Sequence, residues 1–441
     1  MRFDRDSIER FVFQSYGFDP ERMRLELNYR LDDIGFTETI EFPGGSLAGV
    51  DEAALDRAFH LLHLLAGISY YKAALPPVIE IATRLPSPAM AAFLEQTYCH
   101  GLGEFAWTNH ISIEGKTHFP SADLTVAVPP AGDSLPGYVV PLGGGKDSLV
   151  SCELLSQASV SFRTIDVGGS RLIRQVARAV GKSHLSIRRQ LDRRLFDLND
   201  QGAYNGHVPI SAILAGVMVC GGLLYRYGNV VMSNERSADS GNFVLDSGFV
   251  VNHQYSKSLE FERDFGELVD REVVPGFRYF SLLRGWSELA VARRFAELSG
   301  YHREFSSCNR NFRINDARPL GRWCCDCPKC RFVFLALAPF LTVDALTEIF
   351  GLNLMDDPDQ IAGYRALLGL GADKPFECVG EIEESRAAMA ALIDDPEWNG
   401  WPVVQHFAGA PELRGARLEP LLQISRQDRI PQSLRRLLDA A

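Results

Sequence analysis

The sequence predicts an α/β fold in which a mainly parallel sheet is preceded by an α+β region and followed by a helical region. Short apolar runs alternate with helical patterns between residues 131 and 340, which is typical of parallel strands joined by helices. Residues 1–130 combine alternating strand patterns with a helix, and residues 341–441 are helical in pattern. We therefore predict three domains with these bounds.

The N-terminal region begins with a predicted hairpin. Apolar and polar residues alternate over Arg24–Leu31, and Asp32–Gly35 would turn this strand into a partner at Thr37–Phe42. Asp51–Ala66 has the apolar spacing of a helix. Pro129–Gly137 is rich in proline and glycine, so we interpret it as the linker to the central region.

The central region alternates between strands and helices. Its predicted strands are Tyr138–Leu142, Val160–Val167, His184–Ile187, Val230–Ser233 and His302–Phe305. Helices are predicted at Ser170–Val180 and Ile210–Tyr227, and Glu384–Leu392 is the clearest helix of the C-terminal region. Ligands of open parallel sheets bind beyond the carboxyl ends of the strands, so polar residues there are candidates for a site.

A glycine-rich loop follows the first central strand. It reads Gly143, Gly144, Gly145, Lys146, Asp147, Ser148. Glycines let the backbone approach a phosphate, and the following helix offers free N–H groups at its positive end. The common P-loop spacing is absent, because Val140 stands where its first glycine would be and Asp147 follows the lysine. We interpret the loop as a polyphosphate site; a glycine-rich turn is the alternative.

This loop resembles the Ser-Gly-Gly-x-Asp-Ser loop of ATP pyrophosphatases, which cleave ATP to AMP and pyrophosphate. The resemblance implies a Rossmann-like PP-loop core, of the adenine nucleotide alpha hydrolase type. The residues that it implies at the phosphates are Gly143, Gly144, Gly145 and Ser148. Asp147 would hold Mg²⁺, and Lys146 would neutralise phosphate charge. Gly143 replaces the first serine of the pattern, which removes one hydroxyl contact.

Polar residues follow two further strands. Asp166 and Gly168 end one strand where an adenosine would have room to approach, although a simple turn explains them equally well. Glu235 and Arg236 follow Val230–Ser233. Glu235 would hold Mg²⁺ and Arg236 an anionic substrate, with a surface ion pair as the alternative.

Two histidines and one cysteine are candidates for proton transfer. His207 precedes the Ile210 helix and would titrate near neutral pH, although a loop histidine at a helix entry is the alternative. His253 lies in the polar stretch Asn252–Ser256. Cys378 is the third candidate, and the sequence does not decide which of them form an acid–base pair.

The cysteines indicate a structural metal site. Its candidate ligands are Cys308, Cys324, Cys327 and Cys330. Four thiolates are the usual tetrahedral shell of structural Zn²⁺, and a closed shell stabilises the fold without catalysing. Cys325 would be able to replace Cys324. An iron–sulfur cluster, or reduced cysteines without metal, are the alternatives.

Composition and net charge argue against several classes of protein. The 441 residues carry 45 basic and 56 acidic side chains, and a net charge of −11 disfavours nucleic acid and anionic membranes as partners. We expect no signal peptide and no membrane span, because neither a leader-type apolar core nor a run of eighteen apolar residues occurs. These features indicate a cytoplasmic enzyme.

Taken together, the chain resembles the bacterial UDP-N-acetylmuramoyl-L-alanyl-L-glutamate epimerases, the MurL family. The segments that carry the resemblance are Gly143–Ser148, Asn205–Pro209, Ser233–Ala238, Gly321–Cys330 and Lys374–Gly380. The family implies ATP- and Mg²⁺-dependent inversion of the terminal L-Glu of a UDP-MurNAc-dipeptide, a small-molecule substrate. The alternatives are a nucleobase- or tRNA-modifying enzyme similar to 7-cyano-7-deazaguanine synthase, or a non-catalytic nucleotide-binding zinc protein.

Overall fold

The computed structural model describes residues 3–122, 135–311, 321–371, 375–425 and 428–439. Its strands are β1 (Arg10–Asp19), β2 (Arg24–Leu31), β3 (Ile34–Glu41), β4 (Val78–Ile81), β5 (Tyr138–Pro141), β6 (Phe162–Val167), β7 (His184–Gln190), β8 (Asn229–Met232), β9 (Phe243–Val244), β10 (Val250–Val251) and β11 (Arg278–Ser281). Its helices are α1 (Glu52–Ala66), α2 (Ile68–Tyr71), α3 (Pro88–Gly101), α4 (Gly103–Thr108), α5 (Lys146–Gln157), α6 (Arg171–Val180), α7 (Arg194–Gln201), α8 (Ile210–Tyr225), α9 (Leu259–Leu268), α10 (Glu288–Ala296), α11 (Pro328–Leu337), α12 (Val343–Phe350), α13 (Ile361–Leu367), α14 (Ile382–Asp394), α15 (Pro402–Phe407) and α16 (Gln432–Asp439).

One nine-stranded sheet crosses the predicted border between the N-terminal and central regions. Its strand order is β11-β8-β5-β6-β7-β3-β2-β1-β4. The five strands from β11 to β7 are parallel to one another, as predicted for the central region. Antiparallel pairing of β3 with β7 joins them to the β1–β2–β3 meander. The border at 130/131 and residues 129–134 of the predicted linker lie outside the described residues.

The parallel strands separate two apolar cores. Val139 and Val230 face a core that α8 shares with the N-terminal region. Their neighbours Val140 and Val231 face a second core, formed with α5, α10, α11 and the C-terminal helices. Successive side chains of a strand point to opposite faces, and burial of both faces explains the continuous apolar runs in these strands.

Most predicted elements are confirmed, with shifted ends. The hairpin strands form β2 and β3, and Asp51 caps α1 by accepting from the Ala53 N–H. The predicted helix Ile210–Tyr227 ends at Tyr225, because Arg226 adopts a left-handed conformation with φ of 62°. The C-terminal region is helical from α12 onward, and α14 contains the predicted Glu384–Leu392.

The predicted strand at His302–Phe305 is wrong. This segment turns back on itself, and the Glu304 and Phe305 N–H groups both donate to the Tyr301 carbonyl. Phe305 is buried, with its ring centre 4.5 Å from that of Phe295. The apolar pattern of this segment therefore arises because its residues are buried in a turn. The strand at this edge of the sheet is β11.

In the part of the chain that the structure describes, no helix has the length and apolar character needed to cross a membrane.

Candidate active site

The glycine-rich loop joins β5 to α5 at the carboxyl edge of the parallel strands. Gly144 has a φ of 89°, a left-handed conformation that favours glycine. A side chain at Gly143 would meet nothing within 4 Å, so this side of the loop is open. Gly145 caps α5 without a side-chain hydrogen bond, which leaves N–H groups of the first turn available. This geometry suits an anion.

A chain of buried charges begins at Lys146, the first residue of α5. Glu288 accepts hydrogen bonds from Lys146 and, at 3.4 Å, from Lys329; Lys146 also pairs with Asp147. Lys329 donates in addition to the carbonyl of Cys378. Burial favours a higher pKa for Glu288, but the two lysines outweigh it and lower the pKa to about 2. Glu288 is therefore an anion that links the loop to Cys378.

Glu288 occupies this position because it begins α10, directly beyond β11. The strands β5, β8 and β11 are parallel, so their carboxyl ends meet at one edge. Ser287 caps α10 by accepting from the Ala290 N–H at 2.9 Å. Sequence reasoning missed Glu288 because it did not predict β11. A serine cap before an apolar helical pattern was the available signal.

Glu235 lies beyond β8 and is buried. One of its carboxylate oxygens accepts from the Ser237 hydroxyl at 2.7 Å and from the Ala238 N–H at 3.2 Å. Burial and the negative charge of Glu288 raise the pKa of Glu235 to about 7. A cation placed beside this carboxyl group would therefore stabilise its ionised form.

Two arginines organise the loop after β8. The guanidinium of Arg236 donates to the carbonyls of Leu421 and Gln423, each at 3.2 Å, and so faces the C-terminal segment. Buried Arg284 donates to the Glu235 carbonyl at 3.2 Å and to the Lys257 carbonyl at 2.6 Å. Arg284 thereby joins the loop that carries Glu235 to the segment that carries Lys257.

Asp166 ends β6 and orders the turn that follows it. Its carboxylate accepts from the Gly169 N–H at 2.7 Å and pairs with His184 Nε2 at 3.0 Å. Burial would raise the pKa of Asp166, but the His184 hydrogen bond and others lower it. Gly168 has a φ of 105°, and a side chain there would meet nothing within 4 Å.

The structure brings His207, His253 and Cys378 together in one group. We call these three residues, with Glu104 and Lys257, the thiolate–imidazole centre. The ring centres of the two histidines are 4.5 Å apart. Glu104 hydrogen bonds to His253 Nδ1 and lies 3.5 Å from His207 Nδ1. Lys257 Nζ donates to the Cys378 sulfur at 2.9 Å, and the charges of His253 and Cys378 shift each other's pKa.

Four separate parts of the chain supply this centre. Glu104 lies on α4, His207 in the loop before α8, and Cys378 in the loop before α14. His253 and Lys257 follow β10. Sequence reasoning found both histidines and Cys378 but missed Glu104 and Lys257, since neither belongs to a recognisable motif.

The electrostatics of the centre give its members different protonation states. Burial would raise the pKa of Cys378, but Lys257 and His253 lower it to about 5. Burial would lower the pKa of His253, but Cys378 and Glu104 raise it to about 9. Burial, reinforced by the charge of His253, lowers the pKa of His207 to about 3. At neutral pH a thiolate, an imidazolium and a neutral imidazole therefore lie side by side.

The cysteine cluster lies beside this centre. Four sulfur atoms fall within 4.8 Å of one another, those of Cys308, Cys324, Cys327 and Cys330. Cys330 lies 3.5 Å from Cys327 and 3.7 Å from Cys324, measured between sulfurs. Sulfurs bound to a tetrahedral ion at ~2.3 Å are ~3.8 Å apart, so the cluster fits one such ion. Cys325 points away, and its thiol donates to the Phe350 carbonyl at 3.4 Å.

Fold and site together define an α/β enzyme that joins a glycine-rich loop to a buried group of titratable side chains. The family model of the MurL N-terminal domain matches residues 2–282, and that of the MurL C-terminal domain matches residues 304–417. The chain therefore belongs to the MurL family.

Curated relatives agree with this assignment. A UDP-N-acetyl-alpha-D-muramoyl-L-alanyl-L-glutamate epimerase from Xanthomonas oryzae pv. oryzae is 46% identical over 439 residues, covering 98% of this chain and 97% of the relative. Proteins of the same name from Salinispora tropica and a Micromonospora species are each 41% identical, over 91% of this chain and 89% and 91% of their own lengths. The chain is accordingly an enzyme of the isomerase class.

Proposed function

We propose that the chain inverts the terminal L-Glu of UDP-MurNAc-L-Ala-L-Glu to D-Glu during synthesis of peptidoglycan precursors, and that ATP is cleaved to AMP and pyrophosphate in the process. The names of its relatives support the substrate and the inversion. The observation that carries the proton chemistry is the contact between His207 and His253, whose ring centres are 4.5 Å apart.

Activation of the substrate answers a chemical difficulty. The Cα–H beside a free carboxylate is a very weak acid, because its removal would place a second negative charge next to the first. Adenylation converts that carboxylate into a neutral acyl group, and hydrogen-bond donors are then able to stabilise the enolate. A PP-loop-type core, with its glycine-rich loop beside the thiolate–imidazole centre, suits this order of events.

Different residues around the glycine-rich loop bind different parts of the nucleotide. Gly143, Gly144, Gly145 and Ser148 hold phosphates at the start of α5. Asp147 and Glu235 hold Mg²⁺, which neutralises charge on the phosphates when it is bound. Lys146 adds a fixed positive charge, and Asp166 with Gly168 borders the adenosine. Arg236 would contact an anionic substrate only after leaving its present carbonyl partners.

The two histidines act as the acid–base pair. Neutral His207 accepts the α-proton from one face of the activated glutamate, and protonated His253 returns a proton on the other. Their pKa values of about 3 and about 9 place them in these states at neutral pH. Glu104 lies against both rings and positions them.

The four-cysteine cluster holds one structural Zn²⁺. Its sulfur separations fit a single tetrahedral ion, and all four positions of the ion would be filled by protein. The ion would fix the turn that carries Lys329, and so the lysine that contacts Glu288 and Cys378.

Turnover in D₂O tests the proposed function. With ATP, Mg²⁺ and UDP-MurNAc-L-Ala-L-Glu, we expect AMP, product of D configuration and deuterium at the glutamate α-carbon, and no exchange without ATP. His207→Ala should lose exchange from one epimer and retain it from the other, whereas the exposed His406→Ala serves as a control. Formation of ADP, or D product without α-deuterium, contradicts the mechanism.

A further inference from the structure

Cys378 has no role in the acid–base scheme above, although it belongs to the thiolate–imidazole centre. Its sulfur accepts from Lys257 Nζ at 2.9 Å, His253 of the same centre lowers the pKa of its thiol, and His253 hydrogen bonds in turn to Glu104. A nucleophile, a base and a third group that orients the base form the arrangement by which enzymes activate cysteine for attack on acyl carbons.

The surroundings of the sulfur favour a nucleophile. Lys257 Nζ lies 2.9 Å from it, and this half-buried cation stabilises a thiolate without needing to give up its proton. Cys378 as a residue is half-buried. The carbonyl of Cys378 accepts from Lys329, which also contacts Glu288. Glu288 contacts Lys146 of the glycine-rich loop, so the sulfur lies along one continuous chain of contacts from the proposed adenylation site.

We propose that the Cys378 thiolate takes the glutamyl group from the acyl-adenylate and that inversion occurs on the resulting thioester. This inference rests on the proposed function. The sulfur forms a bond with the acyl carbon, the bond from that carbon to the AMP oxygen breaks, and AMP leaves with the electron pair. After the two proton transfers at Cα, water attacks the acyl carbon, a histidine accepts the water proton, and the thiolate departs.

A thioester suits the proton chemistry better than the adenylate. Its sulfur donates little electron density to the carbonyl, so the α-proton is acidic and the enolate is stabilised by nearby donors such as Lys257. The anionic AMP leaves before negative charge develops at the enolate. The covalent bond also holds the acyl group while both faces of Cα exchange protons.

The two possible roles of Cys378 predict different exchange patterns in Cys378→Ala. Without the nucleophile, deuterium exchange at Cα should fall by at least ~10³-fold from both the L and the D epimer, while single-turnover pyrophosphate release stays within ~3-fold of wild type. Cys378→Ser should accumulate an ester that adds the mass of the substrate less one water and is released by hydroxylamine. Cys99→Ala, a half-buried cysteine outside the centre, serves as the control.

Three results overturn the thioester. One is inversion by Cys378→Ala at a rate close to wild type. Another is exchange in Cys378→Ala that survives from one epimer only, which would make Cys378 a base for one face. The third is the absence of an adduct on Cys378→Ser while that variant still releases pyrophosphate. Failure of the proposed function looks different, because wild-type protein would then release no AMP.

Discussion

His63 lies against the antiparallel strands of the sheet, and His253 lies beyond the parallel strands. His63 is buried and the His253 side chain is only 14% exposed, yet their pKa values move in opposite directions. His63 packs against the rings of Tyr29 and Phe13, with ring centres 4.9 and 5.5 Å away, and its pKa falls to about 3 because burial disfavours the charge. His253 faces Cys378 and Glu104, which overcome the same burial and raise its pKa to about 9. Charged partners therefore distinguish the region that we propose to perform the chemistry from the region that supports it.

Buried carboxylates show the same difference between the two halves. Glu38 on β3 pairs with Arg189 on β7 through two hydrogen bonds of 2.6 and 3.2 Å, which join the halves of the sheet, and Arg189 also donates to the Ser69 hydroxyl at 3.1 Å. Glu288 instead bridges Lys146 and Lys329, each of which has further partners in the candidate active site. The Glu38–Arg189 pair fixes two strands, whereas the bridging carboxylate of Glu288 connects groups that we propose to contact substrate.

Replacement of these two carboxylates is expected to have the largest effect. Glu288→Gln leaves two buried lysines without their shared anion, and Glu38→Gln leaves Arg189 without its partner; each should lower the free energy of unfolding by ~3–5 kcal/mol. Only Glu288→Gln should also abolish AMP release by the folded fraction. Urea unfolding and AMP assays measure both quantities, and equal activity losses in the two variants would remove the distinction between the halves.

Asp147→Ala should separate activity from stability. Its proposed role at Mg²⁺ predicts a loss of AMP formation of ~10³-fold, with little change in unfolding, because Lys146 retains Glu288. Asp192→Ala is the matched control: this aspartate accepts from the Thr37 N–H at 2.8 Å and lies beside the antiparallel strands. Full activity in Asp147→Ala would refute the pyrophosphatase mechanism.

The cysteine cluster should affect stability more than rate. We expect one zinc per chain by elemental analysis, and chelation or Cys330→Ser should lower the free energy of unfolding by ~3 kcal/mol while AMP release per folded chain stays within ~10-fold. Cys325→Ser is a close control, since that thiol contacts the Phe350 carbonyl instead of the cluster. Iron, or no metal, would contradict the prediction, and metal loss in Cys325→Ser would contradict the ligand assignment.

Local patterns predicted one part of the molecule, and long-range topology decided the rest. The strand–loop–helix around Gly143–Ser148 was predictable because glycines and apolar spacing act over a few residues. Glu288 was not, because β11 has only four residues and begins with Arg278, so its apolar signal is short. The assembly of Glu104 with His253 depends on contacts 149 residues apart, which no local pattern records.

The pH profile of kcat/KM gives a smaller and more specific test of the comparison. The rate should rise through a pKa of about 5 as Cys378 loses its proton and fall through a pKa of about 9 as His253 loses its own. Glu104→Gln removes a negative charge that favours the imidazolium, so the alkaline limb should move to lower pH by about one unit. His63→Phe should leave both limbs in place.

The contributions of His63 and His253 to folding stability should change with pH in opposite directions. The pKa of His63 is lower in the folded chain than the ordinary 6.5, so the unfolded chain binds more protons and stability is lost as pH falls below about 6.5. The pKa of His253 is raised, so its contribution is complete below 6.5 and disappears as pH rises through about 9. Replacing each by phenylalanine should flatten the acid side of the unfolding profile in one variant and the alkaline side in the other. If the unfolding profile flattened on the same side in both variants, the pKa values of His63 and His253 would not be shifted in opposite directions.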